Sequence, residues 1–309
     1  MVVNLKEKNR TSVVIVTYNP DQSTLNSIKK MLEMDVYLIV VDNGTKNTNK
    51  VILQIERMLV GTESKYVKFD TNKGLGTAQN KGIEISKRLG KEYIFFFDQD
   101  TIIPDGYIGS MINLFTQYEE LYPENKLGIL APNYFDRNTK EYAHYALLTD
   151  RGYEDKKFKN ELYLEVSFAI SSGSLIKIEV INIVGLFRED FFIDQIDTEY
   201  CLRMRENGYK VVATSGVLLN HTIGNREKKF FLGLTIKPNH HSEVRKYYIF
   251  RNGMYTVRTY GKNYPGLKVL MYKRFIHDIL GVCLYETNKK RKLSSMYRGI
   301  RDSKKSWVD

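Results

Sequence analysis

The feature that most restricts this chain is a rhythm over residues 11–100. Short apolar runs alternate there with stretches of helical periodicity. Thr11–Thr17 is a β-branched run. Asp21–Met34 puts Leu25, Ile28 and Leu32 on one helical face, and Val36–Val41 is a second apolar run. Residues 46–60 can form a helix, Tyr66–Phe69 a short strand, and Asn72-Lys73-Gly74 opens a helix that reaches Leu89. A fourth run, Tyr93-Ile94-Phe95-Phe96-Phe97, closes the series. Runs this apolar read as strands buried on both faces of a sheet. Strands alternating with helices predict an α/β fold with a mostly parallel, Rossmann-like sheet.

The ends of these strands are polar. The fourth stops at Asp98-Gln99-Asp100. Residues i and i+2 point the same way on an extended chain, so both carboxylates can converge on one point. Like charges this close repel unless something positive lies between them, and a divalent metal carrying phosphate oxygens would serve. The carboxyl ends of strands in an open α/β sheet are where ligands bind. The ordinary alternative is a solvated turn. Thr17-Tyr18-Asn19 ends the first strand and Asp42-Asn43 the second. In a parallel sheet all three clusters share one edge and make a polar site. Asp42-Asn43-Gly44 alone would be only a good turn.

Gly74-Leu75-Gly76 fails the dinucleotide fingerprint. Gln79 stands where its third glycine belongs, and the segment follows the third strand, not the first, which excludes a nicotinamide or flavin site. Lys73 can reach a nucleotide. The two glycines allow either backbone approach to a ligand or close helix packing. Further on, 105–120 reads as a helix, 127–131 as a strand, 133–165 as a hairpin or flap, and 172–176 as a turn into a strand. Asp194, Asp197 and Glu199 follow the aromatic pair Phe191-Phe192. Asp197 can cap a helix over 198–207, act as a general base, or do both. Val211–Ala213 and Val217–Asn220 read as two short strands. His221 follows them, one of five histidines, and a metal or phosphate role requires the fold to carry it to Asp100. From Pro238 the chain reads as helices.

Composition narrows the class. With 309 residues, 42% of them hydrophobic and 27% charged, the chain can bury a real core and is not a disordered one. Two cysteines, Cys201 and Cys283, fit a reducing compartment. The stretch through Arg10 has no signal-peptide core, and no run of about 18 apolar residues predicts a membrane span. Residues 225–309 hold 20 Lys and Arg against 6 Asp and Glu, a net of +14; residues 1–224 hold 27 against 30, a net of −3. The basic tail also carries an apolar stretch, Leu267–Leu284, and the run Lys289-Lys290-Arg291-Lys292. It can lie on an anionic membrane or be an ordinary packing helix with a solvated charge run.

Taken together the pieces resemble the family 2 glycosyltransferases, inverting sugar-nucleotide enzymes of the GT-A fold. The likeness covers residues 11–255. It is carried by Val14–Asn19, Val41-Asp42-Asn43, Asn72-Lys73-Gly74 with Ala78, Asn80 and Gly82, then Phe97–Asp100, Ser172-Gly173-Ser174, Phe192–Arg203, and His221 with Gly224. Asp98–Thr101, Phe192–Asp194 and Gly299–Asp302 look most like the rhamnosyltransferase branch, which uses dTDP-L-rhamnose. The resemblance implies a GT-A catalytic domain over 1–224 and a basic helical extension over 225–309. It implies that Thr17, Tyr18, Asn19, Asp42, Asn43, Lys73, Gln99 and Arg251 line the donor site. Asp98 and Asp100 match the DXD motif: Asp100 would bind Mg2+ or Mn2+, Asp98 the metal, ribose or donor sugar, and His221 the metal or diphosphate. Many members have Glu-Asp where this chain has Ile196-Asp197. Asp197 matches the catalytic Asp, with Asp194 as rival. The implied acceptor is a saccharide or a polyprenyl-linked glycan, without nucleic acid. The implied place is the cytoplasm, against the inner face of the cell membrane. A UDP-sugar donor, or nucleic-acid binding through the tail, are the alternatives.

Overall fold

The computed structural model describes residues 10–34, 36–136, 139–221, 229–231 and 234–305. The apolar runs form β1 (Thr11–Thr17), β2 (Tyr37–Asp42), β3 (Lys65–Lys68) and β4 (Tyr93–Asp98), all parallel. Between them lie α1 (Gln22–Leu32), α2 (Lys50–Leu59) and α3 (Leu75–Arg88). After α4 (Tyr107–Leu121), the sheet continues with β5 (Leu127–Asp136) and its short antiparallel neighbour β6 (Glu141–Tyr142). A hairpin, β7 (Tyr145–Leu148) and β8 (Tyr153–Lys156), stands apart from the sheet. Then come β9 (Tyr163–Glu165), β10 (Leu175–Lys177), α5 (Ile178–Val184), α6 (Ile196–Glu206) and β11 (Lys210–His221). The strand order is β3-β2-β1-β4-β10-β5-β11-β9, and β10 runs antiparallel to both neighbours.

Alternation along each strand divides the core in two. Val13, Ile15, Leu38, Val40, Phe95 and Phe97 meet α1, α2 and α4 on one face. Val14, Ile39, Val41, Ile94 and Phe96 meet α3, α5 and α6 on the other. Burial on both faces is why these runs carry almost no polar residue before their last position.

Three expectations change. The predicted strands over 211–213 and 217–220 are one strand, β11, which pairs parallel with β5 across a register shift between Thr214 and Leu218; Thr214-Ser215-Gly216 looked like a break and is a bulge. Helix α6 starts at Ile196 with Gln195 as its cap position, so Asp197 lies inside the first turn and does not cap it. The alternative left open for 133–165 resolves as the β7–β8 hairpin.

The tail holds a small hairpin, β12 (Lys229–Phe231) with β13 (Leu234–Ile236), then α7 (Glu243–Tyr260), α8 (Pro265–Tyr285) and α9 (Lys289–Asp302). Phe250, Val257, Leu267, Met271, Phe275 and Met296 pack in one cluster that also takes in Leu202 of α6. Tyr260 Oη donates to Glu199 Oε1 at 2.7 Å, a second tie between tail and sheet domain. Lys246 is fully buried and is paired with Asp278 and Glu286, while Glu286 also takes Lys292 at 2.7 Å. Charges so placed persist only when paired. Lys292 is therefore withdrawn from the basic run that began at Lys289. Of the apolar residues on α8, Leu270, Phe275 and Val282 pack inward, while Val269, Tyr272, Ile276 and Leu280 face outward. Among the described residues no helix is long and apolar enough to cross a membrane. The boundary expected at residue 224 lies outside the described residues.

Candidate active site

The parallel register sets Thr17 beside Asp42 and Val16 beside Asp98, so the polar strand ends form one rim. Asp42 is completely buried. Its Oδ1 accepts from Thr17 Oγ1 at 3.2 Å and its Oδ2 from the Thr45 amide at 3.1 Å. The hydroxyl of Thr45 accepts in turn from the Asn19 amide at 2.9 Å. Asn43 accepts from the Lys73 amide at 2.9 Å and donates to Asn72, which also accepts from the Gly74 amide. The Lys73 ammonium lies 5.0 Å over the Phe69 ring. Gln99 holds the backbone of Tyr18 through both ends of its amide, accepting from the Tyr18 N–H at 2.8 Å and donating to its carbonyl at 3.4 Å. The Tyr18 ring itself is exposed. Thr17, Tyr18, Asn19, Asp42, Asn43, Lys73 and Gln99 thus form one hydrogen-bonded shelf.

Asp98 sits at the inner end of this shelf. Its amide donates to Ser172 Oγ at 3.1 Å, and the Gly173 amide donates to the Phe96 carbonyl at 2.7 Å. The Ser172-Gly173-Ser174 turn therefore props the end of β4. Asp100 is exposed on the same rim.

The opposite wall is a turn over 190–195. Phe192, Asp194 and Gln195 all have positive φ, of 62°, 64° and 64°. Non-glycine residues in such conformations cost about 1–3 kcal/mol each and persist only where the surroundings hold them. Helix α7 does the holding. Asn252 Nδ2 lies 2.9 Å from the carbonyls of Phe191, Ile193 and Asp194. The Arg251 guanidinium donates to the Asp190 carbonyl and to Asn252, and lies 4.5 Å over the Tyr248 ring. It is buried in this packing, behind the turn. On the other side, Gly74 has a φ of 92°, and a Cβ there would lie 2.7 Å from Phe192 Cα. One on Gly76 would lie 2.6 Å from the Arg188 carbonyl. These glycines let α3 press against the turn, which is the packing alternative of the two open from sequence.

The three acids of the turn part company by their partners. Glu199 is buried against Arg203 and Tyr260. Asp194 takes a bidentate pair from Arg245 at 2.9–3.2 Å; burial still raises its pKa above the usual carboxylate range. Among the described residues no cation is paired with Asp197. Burial and then the negative charge of Asp98 push it up to about 6, against the pull of the Ser171 amide and hydroxyl. Its Oδ1 is sealed from solvent and receives no hydrogen bond. An unpaired buried acceptor costs about 1–3 kcal/mol. Burial lowers the pKa of the Arg245 guanidinium, and the Asp194 bonds with the charges of Asp194 and Asp98 more than reverse that. Asp98, Asp194, Asp197 and Arg245 therefore share one electrostatic site, although almost 100 residues separate the first two.

Beside Asp197 opens a cavity of about 190 Å3. Arg245 was not singled out as a site residue by sequence. Arg245 stands in the first turn of α7, behind the cap Ser242. Nothing in its local pattern distinguishes it from the other cations of the tail. The side chain of His221 lies outside the described residues; its backbone closes β11 opposite Asp136. Among the described residues no three His, Cys, Asp or Glu side chains gather as a metal cluster. What the site does present is Asp194 and Asp98 facing Arg245, with Asp197 next to both carboxylates, an oxygen-rich and net negative edge. That donor chemistry fits a hard cation whose other ligands come with a diphosphate.

Comparison with known proteins agrees with this geometry. Residues 12–184, more than half of the chain, match the family described as "Glycosyl transferase family 2". The dTDP-rhamnosyl transferase RfbF of Shigella flexneri is 32% identical over 292 residues, covering 93% of this chain and 92% of RfbF. The mannosyltransferase PcManGT of Pyrobaculum calidifontis, solved with GDP-Man and Mn2+, superposes with a TM-score of 0.54 at 12% identity, over 97% of this chain and 76% of that one. TarS of S. aureus gives a TM-score of 0.51 at 15% identity, over 70% of this chain; the match spans only 37% of that longer protein. At such identities the two structures speak for the fold alone, the GT-A arrangement of a mostly parallel sheet between helices. With a family match over most of its sheet domain and a rhamnosyltransferase relative along nearly its whole length, this chain belongs to glycosyl transferase family 2.

Proposed function

We propose that this glycosyltransferase transfers L-rhamnose from dTDP-L-rhamnose to a saccharide hydroxyl with inversion at the anomeric carbon. The observation that carries the reading is Asp197: a half-buried carboxylate paired with no cation among the described residues, with one unpaired oxygen, in electrostatic reach of Asp98 on the donor rim. The near full-length likeness to a dTDP-rhamnosyl transferase supports the choice of donor.

The shelf from Thr17 to Gln99 would hold the nucleoside, and Asp98 the ribose or sugar. The Asp197 carboxylate accepts the proton of the acceptor hydroxyl as that oxygen bonds to the anomeric carbon. The bond from that carbon to the diphosphate breaks, and the diphosphate leaves with the electron pair. Attack from the side opposite the leaving group inverts the centre. Asp194 is tied to Arg245 by three hydrogen bonds, which favours Asp197 over it as base. Arg245 faces the same charges. Mg2+ or Mn2+ would be held by Asp98 and Asp100, as hard oxygen ligands, and when bound it neutralises the diphosphate. The Mn2+ in the mannosyltransferase supports such a site here.

The tail fits an acceptor carried on a lipid. Val269, Tyr272, Ile276 and Leu280 form an exposed stripe on α8, beside exposed Lys268, Lys273, Lys289, Lys290 and Arg291. Near an anionic surface each such cation contributes about 1 kcal/mol. On this reading residues 1–224 carry the chemistry and 225–309 face the acceptor side, while α7 also braces the base.

Asp197→Asn should lower the release of dTDP from dTDP-L-rhamnose by about 10^2–10^4-fold, the usual weight of a general base, with dTDP affinity retained; a larger loss in Asp194→Asn would move the role there. The wild-type rate should fall as pH drops through about 6, where Asp197 takes up its proton. The sign for stability is the reverse. A carboxyl raised in the folded state loses stability as pH rises from its unfolded value through about 6. By linkage Asp197→Asn should therefore be more stable than wild type at neutral pH, by up to about 3 kcal/mol; a less stable, still active variant would refute both assignments. Chelation with EDTA should abolish transfer and added Mg2+ or Mn2+ restore it; indifference to both rejects the metal. In a flotation assay the protein should rise with anionic vesicles and not with neutral ones, and sedimentation with both removes the membrane role.

A further inference from the structure

The turn that enters β10 sets two buried serines side by side, and they serve opposite halves of the site. Ser172 Oγ accepts from the Asp98 amide at 3.1 Å and shares a hydrogen bond with the Thr101 hydroxyl at 3.0 Å. Its backbone bridges to Phe96 of β4. Ser171 instead meets α3 and α6. Its amide and hydroxyl both pull on the Asp197 carboxylate, and the two residues line one void of about 10 Å3 together with Phe187 and Cys201. A space of that size holds a single water at most, so Ser171 and Asp197 lie close. The residue that holds the Asp98 backbone and the residue that pulls on Asp197 are therefore one peptide apart, ~3.8 Å between α-carbons.

Gln79 decides where the Ser171 proton can go. Its Nε2 donates to Ser171 Oγ at 3.1 Å. A hydroxyl has one proton and two lone pairs. With a lone pair taken by Gln79, the Ser171 proton is left for Asp197. Gln79 is itself buried in α3, and among the described residues its Oε1 has no hydrogen bond. An apolar side chain of the same volume would fill the place without leaving a buried acceptor unpaired. What Gln79 adds over such a side chain is one bond, and that bond goes to the serine behind Asp197. The helix that carries Gln79 is pressed against the backbone of Arg188 and Phe192 by Gly76 and Gly74, so the amide is held in a fixed relation to the turn that leads into α6.

We propose that Ser171 is a positioning residue for Asp197, oriented by Gln79, and that the Ser171-Ser172 pair sets the spacing between the base and the Asp98 end of the donor rim. Asp194 has a guanidinium to fix its carboxylate; for Asp197 the fixing group is Ser171. The serine takes no proton from substrate. It keeps the carboxylate aligned with the attacking oxygen and the anomeric carbon, where a shift of ~1 Å can lower a rate by about 10^2-fold. This inference rests on the reading of Asp197 as base.

The test uses the full chain and dTDP-L-rhamnose with water as the acceptor, at about pH 8, where a carboxyl with a pKa of about 6 is ionised. Release of dTDP gives kcat and KM, and calorimetry gives the affinity for dTDP. Ser171→Ala should lower kcat about 10-fold or more, with KM and dTDP affinity within about twofold of wild type. Ser171→Thr, which keeps the hydroxyl, should recover most of the loss. Gln79→Met, close in volume, should also lower kcat, yet add nothing in a Ser171→Ala background, because its effect passes through the hydroxyl. Unchanged kcat in Ser171→Ala, equal falls in kcat and dTDP affinity, a Thr variant as slow as the Ala variant, or additive losses from the two sites each overturn the positioning role. Asp197→Asn separates this inference from the reading beneath it. If that variant slows release while the Ser171 and Gln79 variants do not, the positioning role fails and the base stands. If Asp197→Asn keeps the wild-type rate, the base reading fails and takes the positioning role with it.

Discussion

One amide group keeps the two halves of the site in place. Asn252 Nδ2 reaches three carbonyls of the 191–194 turn at 2.9 Å each. That turn has left-handed backbone at residues with side chains, and without its brace the chain would relax. Everything downstream depends on it: the register of α6, the place of Asp197 in the cavity wall, and the pairing of Asp194 with Arg245. Because Asn252 and Arg245 both stand on α7, the helical tail is built into the candidate site and is more than an appendage.

The site also shows how partners divide labour among like residues. Three acids lie within six positions, yet each meets a different environment. Glu199 is neutralised by Arg203 and a tyrosine hydroxyl, Asp194 by a bidentate guanidinium, and Asp197, among the described residues, by the dipoles of Ser171. Burial without a cation is what raises a carboxyl toward neutral pH. The same condition that would suit Asp197 to the proposed proton transfer makes its ionised form unfavourable for the fold.

The tail reconciles two demands on its charge. Lys246 and Lys292 are buried and paired with Asp278 and Glu286, so they knit the three helices together. Lys268, Lys273, Lys289, Lys290 and Arg291, with Val269, Tyr272, Ile276 and Leu280, lie on the outer surface. A net charge counted over the segment cannot separate these groups; burial does.

Local pattern was enough for the sheet. Apolar runs that end in polar residues, spaced by helices, determined the four parallel strands and the shared rim of Thr17, Asp42 and Asp98, because strand direction puts the carboxyl ends together whatever the rest of the chain does. The motif order also determined the family. Local pattern missed the bulge that makes β11 one strand, since a Gly-containing break and a bulge read alike. The residues alone left Asp194 and Asp197 open, because both are carboxylates beside an aromatic pair, and only the family resemblance put Asp197 first. The tertiary structure gives them different partners, bringing Arg245 from 51 positions away onto Asp194 and leaving Asp197 beside a cavity. It likewise turned Arg251 inward and showed what Gly74 and Gly76 pack against. Such outcomes depend on which distant groups fill the space around a side chain, and that is decided by packing after the elements have formed.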